Sequence, residues 1–342
     1  MDFELSSEQR DLQDGIRSLL AGRLPLSATR ALEGHADTVD QAVWSELADA
    51  GVFTLLVPEA DGGVGLGLAE ATIVFEELGR VLATGPLVST TALAPLLGVA
   101  GSAIPRGLIE APRLQSATPT LIEHPASISA LVVLPPVEDS AGAVTMIDRQ
   151  ALTLNAVDSP LDPLTPLATL VGAMPAGEEI TEASGHHLRQ TSMVLAAAFQ
   201  VGIAAEVVEL ARSYALGREQ FGRPIGGFQA IKHLLADAFA RTELARCAVQ
   251  AAGVTMDDPQ VAASEGDTMG LSAVEVRWRA VAGAKLLADE AAITNARTAI
   301  QVHGGMGFTW EVPVHLYLKR ARVLASSFGT RTQLADMLAS LL

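Results

Sequence analysis

Two glycine-rich stretches in the C-terminal half contain residue types that could bind a phosphorylated ligand. The first runs from Tyr214 to Gln229 and contains Arg218, whose planar guanidinium offers several donors to a diphosphate. Its glycines allow a backbone to approach a ligand closely, and Phe221 and Phe228 could line an aromatic ring. Considered alone, this block is more often an ordinary turn than a phosphate site, since surface turns are also rich in glycine.

The second stretch runs from Ala299 to Phe308. Gln301 could donate hydrogen bonds to a hydroxyl or a diphosphate group of the same ligand. Its glycines are Gly304, Gly305 and Gly307. Glycine also ends helices, so a helix C-terminus explains the same residues equally well. From residue types alone, both interpretations stay open for both stretches.

Composition excludes several classes of protein. The chain has 342 residues, of which 49% are apolar, so it has enough apolar material for a large core. Its net charge of −16 argues against binding to nucleic acid. With Cys247 as the one cysteine, a disulfide framework is excluded, and no Cys or His spacing suggests a metal site. We expect no membrane span, because no apolar run approaches the ~20 residues required, and a cytoplasmic protein without a signal peptide.

Hydrophobic periodicity predicts a mainly α-helical chain with a small β domain in the middle. The expected domains are 1–110 (helical), 111–185 (a shortened β domain) and 186–342 (a helical bundle). The predicted N-terminal helices lie after Ser6 and at 39–50 and 68–82. Short β runs are predicted at 132–136, 143–147 and 152–154. The predicted C-terminal helices cover 188–216, 228–252, 270–302 and 313–325.

In this helical context, the two stretches resemble the signatures of the acyl-CoA dehydrogenase family of flavoenzymes. The first reads Arg-x-x-Phe-Gly-x-Pro-Ile-x-x-Phe-Gln, and the second reads Gln-x-x-Gly-Gly-x-Gly-Phe. Segments 56–63 and 76–80 are similar to the family's N-terminal domain. The resemblance implies the family's fold, with a helical N-terminal domain, a central β domain and a C-terminal four-helix bundle. It also implies FAD-dependent α,β-desaturation of an acyl-CoA thioester, in fatty acid or steroid degradation, with electron-transfer flavoprotein or a similar acceptor.

In that family, the two blocks reach across a dimer interface to the FAD of the neighbouring subunit. The resemblance therefore implies an oligomer and a set of FAD-binding residues. These are Arg218, Gln220, Phe221, Ile225, Phe228, Gln229, Gln301, Gly304 and Gly305.

The sequence departs from the family where the chemistry should occur. Most members place a glutamate, which removes the α proton, just before a Gly-Thr pair, but Phe328 stands there. Others place this base early in the first long C-terminal helix, where Ser192 stands. Glu206 and Glu209 lie beyond that position, and we expect them to carry surface charge. The family's flavin-wall segments are not recognisable between 110 and 129, so no catalytic residue is assigned to this chain.

The chain thus keeps contacts to a neighbour's flavin and lacks a base of its own. This asymmetry favours the partner subunit of a heteromeric acyl-CoA dehydrogenase, in which a second acyl-CoA dehydrogenase chain supplies the base and the acyl-CoA pocket. Two alternatives stay open: a homomer with a relocated base, and a flavin-free scaffold that binds acyl-CoA or a protein.

Overall fold

The structure, a computed structural model, describes residues 4–110, 119–137, 142–180 and 184–341. The described residues form twelve α-helices: α1 Ser7–Arg23, α2 Leu26–Ala31, α3 Gln41–Asp49, α4 Leu68–Arg80, α5 Leu87–Leu97, α6 Val99–Ser102, α7 Gly185–Gly217, α8 Gln229–Asp257, α9 Pro259–Met269, α10 Ala273–His303, α11 Val314–Leu324 and α12 Arg331–Ser340. Their strands are β1 Arg106–Glu110, β2 Leu121–Glu123, β3 Ala130–Leu134, β4 Thr145–Asp148, β5 Leu154–Ala156, β6 Leu167–Leu170, β7 Glu178–Glu179, β8 Glu219–Gln220 and β9 Arg223–Pro224. The predicted fold class, mainly α with small sheets, is confirmed.

The predicted long helices are all present, and five others were missed. The helices predicted at 68–82, 188–216 and 228–252 correspond to α4, α7 and α8. Sequence reasoning missed α2, α5, α6, α9 and α12. The start of α12 carries a capping box, in which the Gln333 N–H donates to the Thr330 hydroxyl and the Thr330 N–H donates to the Gln333 side chain. This Thr-x-x-Gln pattern could have revealed the helix.

One compact unit comprises Met1–Gly22, Leu68–Ala83 and Met193–Leu342. Within it, α4 and α7 cross with their backbones in contact. A Cβ added at Gly79 would lie 2.1 Å from the Phe199 carbonyl oxygen, and one added at Gly202 would lie 2.0 Å from that of Glu76. Both positions therefore require glycine for packing.

Buried charges attach α4 to its neighbours in the same unit. The Glu76 carboxylate accepts from Nε and Nη2 of Arg246 on α8, at 3.0 and 2.9 Å. The Glu77 carboxylate accepts from Nε and Nη2 of Arg17 on α1, at 3.1 and 2.7 Å. Burial lowers the pKa of Arg246, but hydrogen bonds and charge from Glu76 and Glu243 outweigh burial and raise it. Two-point pairing satisfies the carboxylates that α4 buries.

The second compact unit comprises Arg23–Gly67 and Thr84–Ser192 and contains two sheets. One sheet has the order β1-β3-β4-β7, with β1 parallel to β3 and the other pairs antiparallel; the other has the order β2-β6-β5. A shared apolar core joins residues of both sheets, among them Ile122, Leu131 and Ile147. Residues 111–118 and 181–183, next to the predicted domain boundaries, lie outside the described residues, so the three-domain division stays a prediction.

The long helix α7 corrects the prediction about apolar runs. By length and composition it could cross a membrane, since its most apolar 18-residue window has a mean hydropathy of 1.8. However, 72% of that window is buried inside the protein, as in a core helix. Within the described residues, the structure gives no further evidence for a membrane span.

Candidate functional site

The first predicted block folds as a tight hairpin after α7. Strands β8 and β9 pair antiparallel, with Gln220 opposite Arg223, and the Ile225 N–H donates to the Arg218 carbonyl at 2.8 Å. The two turn residues, Phe221 and Gly222, have φ values of 55° and 78°. Positive φ at both central positions is typical of a two-residue type I′ hairpin, although phenylalanine is unusual there.

The hairpin projects from the protein surface. Every residue from 216 to 224 is exposed, and Phe221 at the tip is 91% exposed. Phe228 is half-buried, and its ring meets that of Phe221 edge-on with 6.2 Å between centroids. Gln229 is exposed at the start of α8, and Ile225 is half-buried. Phe221 and Phe228 together place aromatic surface at the exposed end of the hairpin.

The second block lies at the C-terminal end of α10. Gly304 has a φ of 61° and begins a 3₁₀ turn that ends at Phe308. Gln301, Gly304 and Gly305 are exposed, and a Cβ added at either glycine would meet nothing within 4 Å. These two glycines therefore leave open space beside Gln301 instead of filling a packing requirement. Gly307 differs, because a Cβ there would lie 2.6 Å from the Ile300 carbonyl oxygen.

A stacked pair of rings joins the two blocks. Tyr214, in the last turns of α7, lies over His303, the last residue of α10, with centroids 4.3 Å apart and an interplanar angle of 25°. Nδ1 of His303 lies 2.7 Å from the Ala299 carbonyl oxygen. Since a carbonyl only accepts, Nδ1 carries the proton. The ends of α7 and α10 therefore meet, and the predicted ligand-binding residues share one end of the bundle.

The structure places no carboxylate at either expected base position. Phe328 is half-buried between α11 and α12, with a φ of 59°. Ser192 is fully buried in α7, and its hydroxyl has no hydrogen-bond partner among the described residues. Neither side chain can remove a proton from carbon.

Of the two nearby glutamates, one behaves as predicted. Glu209 is exposed and pairs with Arg212 through two hydrogen bonds of 2.8 and 2.7 Å. The surface position predicted for Glu206 is wrong. Glu206 is half-buried and lies 3.5 Å from Arg80, because its face of α7 turns toward α4. Burial raises the pKa of Glu206, while the Arg80 charge acts in the opposite direction.

A buried polar network holds the helix that precedes Phe328. Nζ of Lys285 donates to Asp289 Oδ2 at 2.6 Å and to the carbonyl of Leu324, at the end of α11, at 3.0 Å. Nε2 of Gln200 donates to Asp289 Oδ1 and to the carbonyl of Ala321, both at 2.9 Å. Burial lowers the pKa of Lys285 and raises that of Asp289, while their mutual attraction opposes both shifts. Sequence reasoning missed this network, since only the fold brings α7, α10 and α11 together.

Family models match both helical parts of the chain. The model of the acyl-CoA dehydrogenase N-terminal domain matches residues 6–104, and that of the C-terminal domain matches residues 190–342. Residues 105–189, which contain the sheets, lie between the two matches.

Relatives match most of the chain. Acyl-CoA dehydrogenase IpdE2 of Mycobacterium tuberculosis is 33% identical over 92% of this chain and 91% of its own length. Acyl-CoA dehydrogenase FadE34 of the same organism is 34% identical over 94% of this chain, which spans only 46% of FadE34.

Solved structures of the same fold include two-component proteins. The structure of the ChsE4-ChsE5 complex from Mycobacterium tuberculosis matches with a TM-score of 0.80 and 23% identity, covering 99% of this chain and 98% of the other. A variant of the Tcur3481-Tcur3483 steroid ACAD matches with a TM-score of 0.76 and 25% identity, covering 98% and 97%. Together with the signatures at 218–229 and 301–308, these matches show that the chain belongs to the acyl-CoA dehydrogenase family of FAD-dependent oxidoreductases, which act on the CH–CH group of acyl-CoA thioesters.

Proposed function

We propose that this chain is the non-catalytic partner subunit of a heteromeric acyl-CoA dehydrogenase and contributes contacts to the FAD of a neighbouring, catalytic chain. One contrast carries the proposal. Exposed donors and an aromatic tip gather at one end of the bundle, whereas Phe328 stands where a proton-abstracting carboxylate is expected.

The residues at this end suit the polar half of FAD. No carboxylate pairs with the Arg218 guanidinium within the described part of the chain. The amides of Gln220, Gln229 and Gln301 are exposed, and the space beside Gly305 is open. A guanidinium suits a diphosphate, and amides suit ribityl and ribose hydroxyls. We assign these groups, with Phe221, Ile225, Phe228 and Gly304, to FAD binding.

The remaining chemistry falls to the second chain. When bound, FAD accepts the hydride from the β carbon of the thioester. The α proton must go to a carboxylate, which neither Phe328 nor Ser192 provides. The base and the acyl-CoA pocket therefore belong to the partner, and electron-transfer flavoprotein or a similar protein takes the electrons from the complex.

The similar proteins support a two-chain arrangement. Two proteins of this fold, the ChsE4-ChsE5 complex and the Tcur3481-Tcur3483 steroid ACAD, are each named for two components. In addition, this chain corresponds to less than half of FadE34, so that relative carries a further, longer segment on one polypeptide.

The number of FAD molecules bound per chain tests the proposal. The chain is expressed alone and together with any acyl-CoA dehydrogenase-like chain encoded beside its gene, and flavin absorbance per chain is measured with the native mass. We expect a colourless product alone and about one FAD per pair of unlike chains together. One FAD per chain in a homomer, or no FAD in either preparation, contradicts the proposal.

A matched pair of variants tests the residue assignment in the FAD-loaded complex. Arg218→Gln removes an unpaired guanidinium and should weaken FAD binding at least about tenfold, the usual weight of a charge-assisted hydrogen bond. Arg212→Gln removes an exposed guanidinium already paired with Glu209, so FAD affinity should not change. Equal effects of the two variants refute the assignment.

A homomer with a relocated base is the second candidate, because burial raises the pKa of Glu206, as a general base requires. If the chain forms a yellow homomer that desaturates an acyl-CoA, the variant Glu206→Gln tests whether Glu206 is its base. Loss of turnover with unchanged FAD content would favour the relocated base.

A further inference from the structure

The register of the β8–β9 hairpin places a further arginine, Arg223, on the same face as Gln220. Residues directly opposite each other in an antiparallel pair lie on the same face, and faces alternate along each strand. Gln220 lies opposite Arg223, and Glu219 lies opposite Pro224. Arg223 therefore shares a face with Gln220, and Arg218, two residues before Gln220, continues that face. Glu219, the one acidic residue of the hairpin, lies on the other side.

Arg223 lies over an aromatic ring of its own block. Its guanidinium carbon lies 4.0 Å above the centroid of the Phe228 ring, and its aliphatic stem lies against Gly227. A cation–π contact leaves the charge of the guanidinium in place, and no hydrogen bond of its N–H groups is found among the described residues. Because Phe221 closes on the same Phe228 ring from the side, the three side chains support one another.

The charge around Arg223 is unusual for this protein. The chain has 39 acidic and 23 basic residues, yet neither Arg218 nor Arg223 pairs with a carboxylate in the ranges that the structure describes. Both are exposed. Two unpaired guanidiniums on one face of a rigid hairpin match a ligand with two adjacent negative charges.

We propose that Arg223 is a second diphosphate-binding residue, which acts with Arg218 on the dianionic diphosphate of the dinucleotide cofactor. This inference rests on the proposed function and specifies it: the hairpin face binds the diphosphate, and the aromatic tip lies beside it. Arg218 and Arg223 each neutralise one phosphate, so neither alone suffices.

The test uses the FAD-loaded assembly and follows FAD release by fluorescence at several KCl concentrations. Arg223→Gln should accelerate FAD release about ten- to one-hundred-fold at low salt and reduce the dependence of the rate on salt. Arg223→Lys keeps the charge but loses the planar fork, so it should fall between the wild type and Arg223→Gln. The native mass should not change in either variant.

A probe without the diphosphate makes the test specific. Affinity for riboflavin, which shares the flavin ring and ribityl chain but carries no phosphate, should be the same in the wild type and in Arg223→Gln. ADP, which carries the diphosphate, should compete with FAD less effectively in the variant.

Three results would overturn the inference. Unchanged FAD release in Arg223→Gln, with rapid release in Arg218→Gln, would refute the role of Arg223 and leave the proposed function intact. Altered native mass with unchanged FAD release would mean that Arg223 binds an acidic protein surface instead. Equal losses of FAD and riboflavin affinity would mean that Arg223 only supports the hairpin. By contrast, an assembly that never contains FAD contradicts the proposed function itself.

Discussion

The buried pair of Lys285 and Asp289 should give the two single variants opposite pH dependences. In the wild type, Lys285 and Asp289 together hold one titratable proton. It lies on the lysine when the two form an ion pair and on the aspartate when both are neutral. Unfolded lysine and aspartate also hold one proton between them from about pH 5 to 9. The pair therefore adds no pH dependence to stability in this range.

Lys285→Met leaves the Asp289 carboxyl buried without its cation. Burial already raises the pKa of Asp289, and loss of the lysine charge raises it further. The folded variant then keeps a proton that the unfolded chain releases. Relative to the wild type, its free energy of unfolding should be highest near pH 4 and fall by up to about 1.4 kcal/mol per unit as the pH rises toward the folded pKa.

Asp289→Asn leaves the Lys285 ammonium buried, and Lys285 is 0% exposed. Burial lowers the pKa of Lys285, and loss of the aspartate charge lowers it further. The unfolded chain now binds a proton that the folded chain releases. Stability should therefore rise with pH, by up to about 1.4 kcal/mol per unit, between the folded pKa and about 10.4.

Near pH 7, each single variant should cost about 3–5 kcal/mol, the usual loss when one partner of a buried pair is removed. The double variant Lys285→Met/Asp289→Leu removes both charges and leaves the Leu324 carbonyl without the lysine donor, so it should cost only about 1–3 kcal/mol. Urea unfolding of each variant, compared with the wild type at pH 5.5, 7 and 8.5 and at one protein concentration, measures these differences. The reasoning would be refuted if the free energy of unfolding, relative to the wild type, changed with pH in the same direction in both single variants. It would also be refuted if the double variant were as unstable as either single variant.

Two further predictions concern packing around the site. Gly202→Ala places a Cβ 2.0 Å from the Glu76 carbonyl oxygen and should destabilise the fold by more than about 2 kcal/mol. The control is Gly283→Ala, whose Cβ meets nothing within 4 Å and which should raise stability by about 0.5–1 kcal/mol. Thermal unfolding measures both variants, and equal changes in stability would disprove the contact between the backbones of Gly202 and Glu76. Tyr214→Leu should break the stack on His303 and speed FAD release up to about tenfold, whereas Tyr214→Phe keeps the ring and should change little. Identical FAD release from both Tyr214 variants would mean that the stack does not position the two blocks.

Sequence reasoning located the long helices because their signals are local. Apolar periodicity and a serine cap predicted α1, and the Ser6 hydroxyl does accept from the Gln9 N–H at 3.2 Å. Helix α5 was missed because seven of its eleven residues are buried, so no polar face marks its period. Strands β2 and β6 have only three and four residues, too few to show alternation.

The candidate site was only partly predictable. The motifs indicated candidate ligand-binding residues, but not that the hairpin turns at Phe221, since a phenylalanine with a φ of 55° carries no sequence signal. The stack of Tyr214 on His303 joins residues from two helices, and no local pattern predicts such a pair. Arg223 was overlooked for the same reason, because only the register shows that it shares a face with Gln220.

The backbone around Phe328 explains how the same fold can carry either a catalytic carboxylate or another side chain at this position. A left-handed backbone at a residue other than glycine costs about 1–2 kcal/mol, so Phe328 does not favour its own φ of 59°. The two ends of the segment impose it. On one side, Lys285 holds the Leu324 carbonyl, and on the other, the Thr330–Gln333 capping box fixes the start of α12. Since the flanking helices hold both ends of this loop, its path does not depend on the side chain at 328. A glutamate there could become a phenylalanine while the proposed FAD-binding end of the bundle, built from α7, the hairpin and α10, kept its form.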